Sequence, residues 1–351
     1  MRGKINKTVL LLLLLSFSWS LAAGERVLVD LDTAILAALE NDLSFRIAVI
    51  NYEKNKLEQE KREANYLLQV SRYNELEMEI SRISMENSYR NAVNSLINSV
   101  IKEYADLWLA GLDLEIKEKS FALEEMRWQE ALKQYEIGDL GSISLLEQEN
   151  SYNNAAFNLE IARDDYWQRK KEFSRKLPTV EGELELAGLA YIEEWEISEE
   201  EVMEIALENS TELELAQARL LLAEIDLERA ELSAAELDRK IKEKSLDTAR
   251  LELEKSREEL LDKIRQSYYQ FKQAVKRIRL SEERLKGAEE RYRLREQQYA
   301  AGLITRMEVL EYELNLLQAR YNYYTAIAGY YQAENNLRQN LNLQTGVFLN
   351  E

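Results

Sequence analysis

Glu308 and Glu311 stand three residues apart in the stretch QYAAGLITRMEVLEYE, Gln298 to Glu313. On a helix that spacing puts both carboxylates on one face. Two such groups can share a proton, hold a cation, or set a local field. Proton sharing needs a poised pair in a dry cleft, and nothing in the sequence marks one. The chain of 351 residues contains no histidine and no cysteine. That removes imidazole acid–base pairs, thiolate nucleophiles, disulfides and zinc-finger sites. Two carboxylates hold a divalent cation only weakly, since such ions take six or more oxygens. The expectation is therefore no catalytic residue, no metal and no cofactor. A structural role for Glu308 stands beside the electrostatic one. Thr305 lies three residues before it, the spacing of a capping box that opens a helix. Ser144 and Glu147 repeat that spacing in a second stretch, QYEIGDLGSISLLEQE, Gln134 to Glu149.

The elements that position these residues can be read from what surrounds them. Tyr135 precedes Gly138 as Tyr299 precedes Gly302, and Leu145-Leu146-Glu147 recurs as Val309-Leu310-Glu311. Ala38-Leu39-Glu40-Asn41 likewise returns as Ala206-Leu207-Glu208-Asn209. The offsets point to two repeats laid end to end. Ahead of the first glycine, Val93, Val100, Leu107, Leu114, Phe121, Trp128 and Tyr135 fall at sevenfold spacing. Ahead of the second, Ile264, Phe271, Ile278, Leu285, Tyr292 and Tyr299 do the same. Sustained heptads predict coiled-coil seams on helices of roughly 70 Å. Each glycine then ends a helix in the left-handed conformation and turns the chain back. Two long antiparallel hairpins with narrow tips follow. Beyond the second tip Met307, Leu310, Leu314, Leu317, Tyr321, Tyr324, Ala328 and Tyr331 step by three and four, while Val309, Leu316, Tyr323, Tyr330 and Leu337 step by seven. The first repeat echoes the second row with Leu145, Tyr152, Leu159, Tyr166 and Phe173. A helix with two apolar rows needs neighbours on two sides, as a stave does in a ring.

Composition agrees. Glu, Leu, Lys, Ala and Arg dominate a chain with one proline and 11 glycines, so the expected class is all-α. Asp and Glu number 65 against 46 Lys and Arg. Such an acidic surface excludes nucleic acid as a partner, because phosphates need a basic face. Arg2, Lys4 and Lys7, the apolar run Val9 to Leu15 and the small residues Ser20 to Gly24 read as a secretory leader. The only proline, Pro178, with Gly182 and Gly188, marks a connector between the repeats. The boundaries drawn are 1–24 for the leader, 25–177 for the first repeat, 178–197 for the connector and 198–351 for the second repeat.

The leader, the tandem repeats, the Ala-Leu-Glu-Asn opening of each, and Tyr-x-x-Gly followed by a long amphipathic helix together resemble the TolC-like outer-membrane efflux family. The segment from Tyr299 to Glu311 is similar to the family's tip wording. The resemblance implies a homotrimer that closes a periplasmic α-barrel. It implies hairpin tips that meet a periplasmic adaptor (membrane-fusion) protein, which in turn serves an inner-membrane pump. On that basis Gly138, Leu140, Gly302 and Leu303 are the docking tips. Tyr299, Arg306, Glu308, Glu311 and Glu147 line or gate the entrance, where acidic groups would favour cations. This sequence departs from the family at two tip positions. Ile304 stands where some members carry a basic residue, and Ser144 is no acid.

A larger departure concerns the membrane. The family inserts two transmembrane strands in each repeat, each of roughly 9–11 alternating residues. The corresponding places are about Tyr66 to Tyr89 and Ala230 to Lys255. Only Leu76, Met78 and Ile80 alternate there, a short vestige at most, and the second place reads as helix or helical turn-around. The expected function is a TolC-like channel component, exported, with an outer-membrane placement by resemblance and its bulk in the periplasm. The alternative is a periplasmic coiled-coil structural protein of the same descent that no longer transports.

Overall fold

The computed structural model describes residues 26–66, 71–177, 183–190 and 195–343. The leader read over 1–24 lies outside the described residues. In chain order the elements are β1 (Arg26–Val29), α1 (Leu31–Asn41), α2 (Leu43–Tyr66), α3 (Arg72–Glu136), α4 (Ser142–Ser174), β2 (Glu183–Leu186), α5 (Glu199–Asn209), α6 (Thr211–Ser233), α7 (Glu236–Ala300) and α8 (Arg306–Asn340). The fold is the all-α arrangement of long antiparallel hairpins that the heptads predict. Its first four helices have 11, 24, 65 and 33 residues, and its last four 11, 23, 65 and 35.

At 1.5 Å per residue, α3 and α7 are each roughly 100 Å long, longer than the heptad rows alone suggest. Both continue past the start of those rows. The heptad residues nearest the middle are deeply buried, among them Val100, Leu107, Ile264, Phe271 and Ile278. Towards the tips the same rows open, and Tyr135 and Tyr299 are both 44% exposed. The two rows on α8 serve two neighbours. Val309, Leu316, Tyr330 and Leu337 are buried in one, and Leu310, Leu317, Ala328 and Tyr331 in the other, and α8 packs on both α7 and α3. The six longer helices form one layer, and α1 and α5 pack on it, against α3 and α7. Near the tips its order is α4, α3, α8, α7, and at the far end it is α2, α3, α6, α7.

The far end corrects one expectation and carries another. Leu76, Met78 and Ile80 lie in the first turns of α3, not in a strand. Their alternation is a by-product of helical packing, for Leu76 and Ile83 are the buried pair, one heptad apart. Ser71 caps that start, accepting a hydrogen bond from the amide of Asn74. In the second repeat α6 and α7 meet through Ala234 and Ala235 alone, so the helical turn-around is what the chain forms there. Residues 67–70, between α2 and α3, lie outside the described residues.

The strands appear elsewhere. β1 and β2 pair in parallel, Val27 opposite Leu184 and Val29 opposite Leu186. The stretch read only as a connector therefore packs back onto the start of the chain. Tyr104 of α3 anchors this pairing. Fully buried, its hydroxyl lies 3.0 Å from the carbonyl of Val29 and 3.1 Å from that of Gly188. Burial pushes its pKa up to about 12. Gly188 has a positive φ of 96°, and a Cβ there would stand 3.3 Å from the Trp108 ring. Both the backbone and the space call for glycine. On the same side of the layer Tyr331 donates to the carbonyl of Ala190, and the amide of Trp195 donates to Tyr330.

Candidate functional site

The two hairpin tips share one backbone design. The amide of Gly138 bonds the carbonyl of Tyr135 at 3.0 Å, and that of Asp139 bonds Gln134 at 2.8 Å. The amide of Gly302 bonds Tyr299 at 2.8 Å, and that of Leu303 bonds Gln298 at 2.9 Å. These are paired six-to-one and five-to-two Schellman bonds, with the glycine in the left-handed region. The φ values are 82° at Gly138 and 72° at Gly302. The tyrosine three residues before each glycine thus contributes its carbonyl to the turn, while its ring stays at the surface.

The second helix of each hairpin starts at the equivalent position, but the caps differ. Thr305 caps α8 through a complete capping box. Its hydroxyl accepts from the Glu308 amide, and the Glu308 carboxylate accepts from the amide and hydroxyl of Thr305. These bonds hold the Glu308 carboxyl below its usual range. The box expected at Ser144 and Glu147 does not form. α4 begins two residues before Ser144, and its N-cap is Gly141, which has no side-chain cap bond. Gly141 takes an extended conformation without cost, so the helix starts where the matching backbone of the second tip starts. Ser144 aligns with Glu308, inside the first turn.

Glu308 and Glu311 do not converge on a common point. Glu308 folds back on Thr305, and Glu311 pairs with Arg127 of α3. Arg127 also bonds Glu124 at 2.6 Å, and Gln148 of α4 bonds the same Glu124 at 2.9 Å. Burial works to lower the Arg127 pKa, but its hydrogen bonds to Glu124 and Glu311 outweigh that and raise it. Two other links, from Lys119 and Arg295, join α8 to α3 and α7 near the tip. Lys119 of α3 reaches Glu313 at 2.5 Å, and Arg306 lies 4.0 Å from the other Glu313 oxygen. Arg306 also sits 6.0 Å from the Tyr299 ring. Tyr312 of α8 receives a hydrogen bond from Arg295 of α7.

A groove between the two tips brings Leu140, Glu147, Glu308 and Glu311 together, with Arg127 and Met307 in its wall. Gly138, Gly302, Leu303 and Tyr299 are not among its lining residues. Leu303 is 73% exposed at its own tip, and Ile137 and Ile143 are as open at the other. Sequence reasoning missed Arg127, Glu124 and Lys119. Their signal was their place beside the heptad row, where flanking charges pair with a neighbouring helix. Among the described residues no group of three carboxylates could hold a metal ion. None of the described helices is long and apolar enough to cross a membrane.

Comparison with known proteins bears on this geometry. Residues 234–343, from the α6–α7 turn to the end of α8, match the model of the outer membrane efflux protein family. No curated protein matches the sequence. Among solved structures, the Campylobacter jejuni CmeC outer membrane channel superposes with a TM-score of 0.61 at 11% identity, over 93% of this chain and 90% of that one. The outer membrane protein VceC of Vibrio cholerae gives 0.59 at 13% identity, over 89% and 95%. CusC, described in terms of folding and transmembrane channel formation, gives 0.59 at 14%, over 89% and 95%. At these identities the likeness is one of fold.

Proposed function

We propose that this chain, TolC-like in fold and matched to the outer membrane efflux protein family over residues 234–343, is an efflux channel component that works as a closed ring of copies. The observation that carries the reading is a pair of unpartnered edges. The layer ends on α7 at one side and on α4 and α2 at the other. On α7, Leu251, Tyr269, Leu280 and Leu294 are about half to two-thirds exposed and lie on one face, at steps of 18, 11 and 14 residues. On α4, Ile143, Leu146, Phe157 and Ile161 form an exposed stripe, and on α2 so do Leu43, Ile47, Ile50 and Leu57.

The edges match in height. Ile161 is 20 residues above the Gly141 cap, and Leu280 is 21 above the Ala301 cap. Leu146 and Leu294 are likewise level, one to two turns above their tips. Two different edges that fit each other make a head-to-tail contact, and such contacts form a ring when the rotation between copies closes. The family resemblance supports three copies. In such a ring the tips gather at one end, where Gly138, Leu140, Gly302 and Leu303 would meet an adaptor protein. Tyr299, Arg306, Glu147, Glu308 and Glu311 would line the mouth. Passage works by geometry and charge, without chemistry at the site. The protein acts after export, in the periplasm and at the outer membrane.

Because the chain lacks cysteine, a cross-link test is clean. Ile161→Cys with Leu280→Cys should oxidise to a cross-linked trimer, while either single variant should not. The unmodified protein should sediment as an elongated trimer. A monodisperse monomer at high concentration, with no cross-link, would sink the ring.

A second reading, a coiled-coil envelope protein that does not transport, draws on the helical join at Ala234 and Ala235. That join stands where the resemblance would place membrane strands. Loss of the gene would then leave sensitivity to toxic compounds unchanged.

A further inference from the structure

Arg277, Arg284 and Arg291 of α7 lie seven residues apart, with guanidinium groups roughly 10 Å from one to the next along the helix. All three are exposed. None has an ion-pair or hydrogen-bond partner among the described residues. In a chain with 65 acidic and 46 basic residues, three successive arginines without a carboxylate run against composition.

They line a groove between α7 and α8. Two cavities of about 350 and 650 Å³ make it up, and they share Ser281, Arg284 and Asn322. The facing wall on α8 is uncharged, with Asn315, Asn322, Thr325, Gln332 and Asn336 set among small residues. Arginine forks and neutral amides in one groove suit carboxylate, sulfonate or phosphate oxygens. The groove lies on the far side of α7 from its outer layer. That layer is marked by Arg265, paired with Glu199, and Tyr268, which donates to the Ile197 carbonyl. In a closed ring the bulky α5 layer stands outside, which turns the arginine face towards the lumen.

We infer that Arg277, Arg284 and Arg291, with the amide face of α8, form a binding track for multivalent organic anions. This deepens the channel reading by naming a class of cargo, and it depends on that reading for the track's place inside a duct. Binding itself needs only one chain. It also sets the shaft against the mouth, where Glu147, Glu308 and Glu311 are acidic. Basic linings favour anions in narrow pores.

The test uses the full mature chain and the trisulfonated dye 8-hydroxypyrene-1,3,6-trisulfonate, followed by fluorescence anisotropy at low salt. The dye should bind, and Arg277→Gln, Arg284→Gln and Arg291→Gln combined should weaken it about tenfold or more. A control variant, Arg257→Gln with Arg293→Gln, removes two exposed arginines of α7 that lie outside the groove and should leave binding unchanged. An equal loss in the control, or no binding by the unaltered protein, overturns the track. Sedimentation of the same samples reports the ring separately. Binding by a chain that stays monomeric would sink the ring and keep the anion site. A trimer indifferent to the three substitutions would do the reverse.

Discussion

The two tips have the same turn and different caps. Both end a 65-residue helix on a left-handed glycine, and both restart the chain three residues later. The second tip then satisfies its first amides with Thr305 and Glu308, while the first leaves its own to solvent at Gly141. The turn is set by backbone sterics, which permit one solution. The cap is set by side chains, which are free to differ. What the two copies share is therefore the shape of the hairpin end. What they do not share is how firmly the returning helix is held to it.

The largest expected effect tests the shared part. Gly302→Val and Gly138→Val should each cost about 1–2 kcal/mol, because a side chain resists the left-handed region. Nothing lies within 4 Å of either added Cβ, so the loss is one of backbone strain and should be similar at both tips. Denaturant midpoints check it, and unequal losses would show that the tips are not equivalent.

The next effect separates them. Thr305→Ala should cost about 1 kcal/mol and loosen the start of α8, read by amide exchange in its first turn. Acid should act at the same place. The folded state holds Glu308 below its ordinary value of 4.5, so its contribution is complete above that value. It is lost as pH falls through the lowered one. Protection factors at the start of α8, which take out the intrinsic slowing of exchange with acid, should fall from pH 5 to pH 3, with no matching change at Gly141.

Smaller still is the coupling between the hairpins. Arg127→Gln and Glu311→Gln, combined in a double-mutant cycle, should show about 0.2–1 kcal/mol, since the pair is part-exposed. The smallest change is a gain. Gly141→Ser gives α4 the cap it lacks and should add a few tenths of a kcal/mol. A gain as large as the Thr305→Ala loss would mean that the tips differ in more than their caps.

Local rules made much of this legible. Tyr-x-x-Gly marked both turns, and Thr305 with Glu308 marked one true cap. The same rule misled at Ser144 and Glu147, since a box forms only where the chain enters the helix, and Gly141 had already opened it. Alternation misled at Leu76, Met78 and Ile80, where a short apolar run fits either period until its neighbours are known. The α3 partners of Glu311 and Glu313, Arg127 and Lys119, stand 184 and 194 residues earlier in the chain, so no local pattern paired them.

Sequence periodicity by itself determined the helices, the two tips and the two-sided nature of α8, because each depends on spacing within one helix. The tertiary structure decided which edges remain open, that β2 returns to β1, and that three arginines share a groove with the amides of α8. Those depend on how separate helices lie side by side, and hydrophobic spacing records that a face is buried without recording against what.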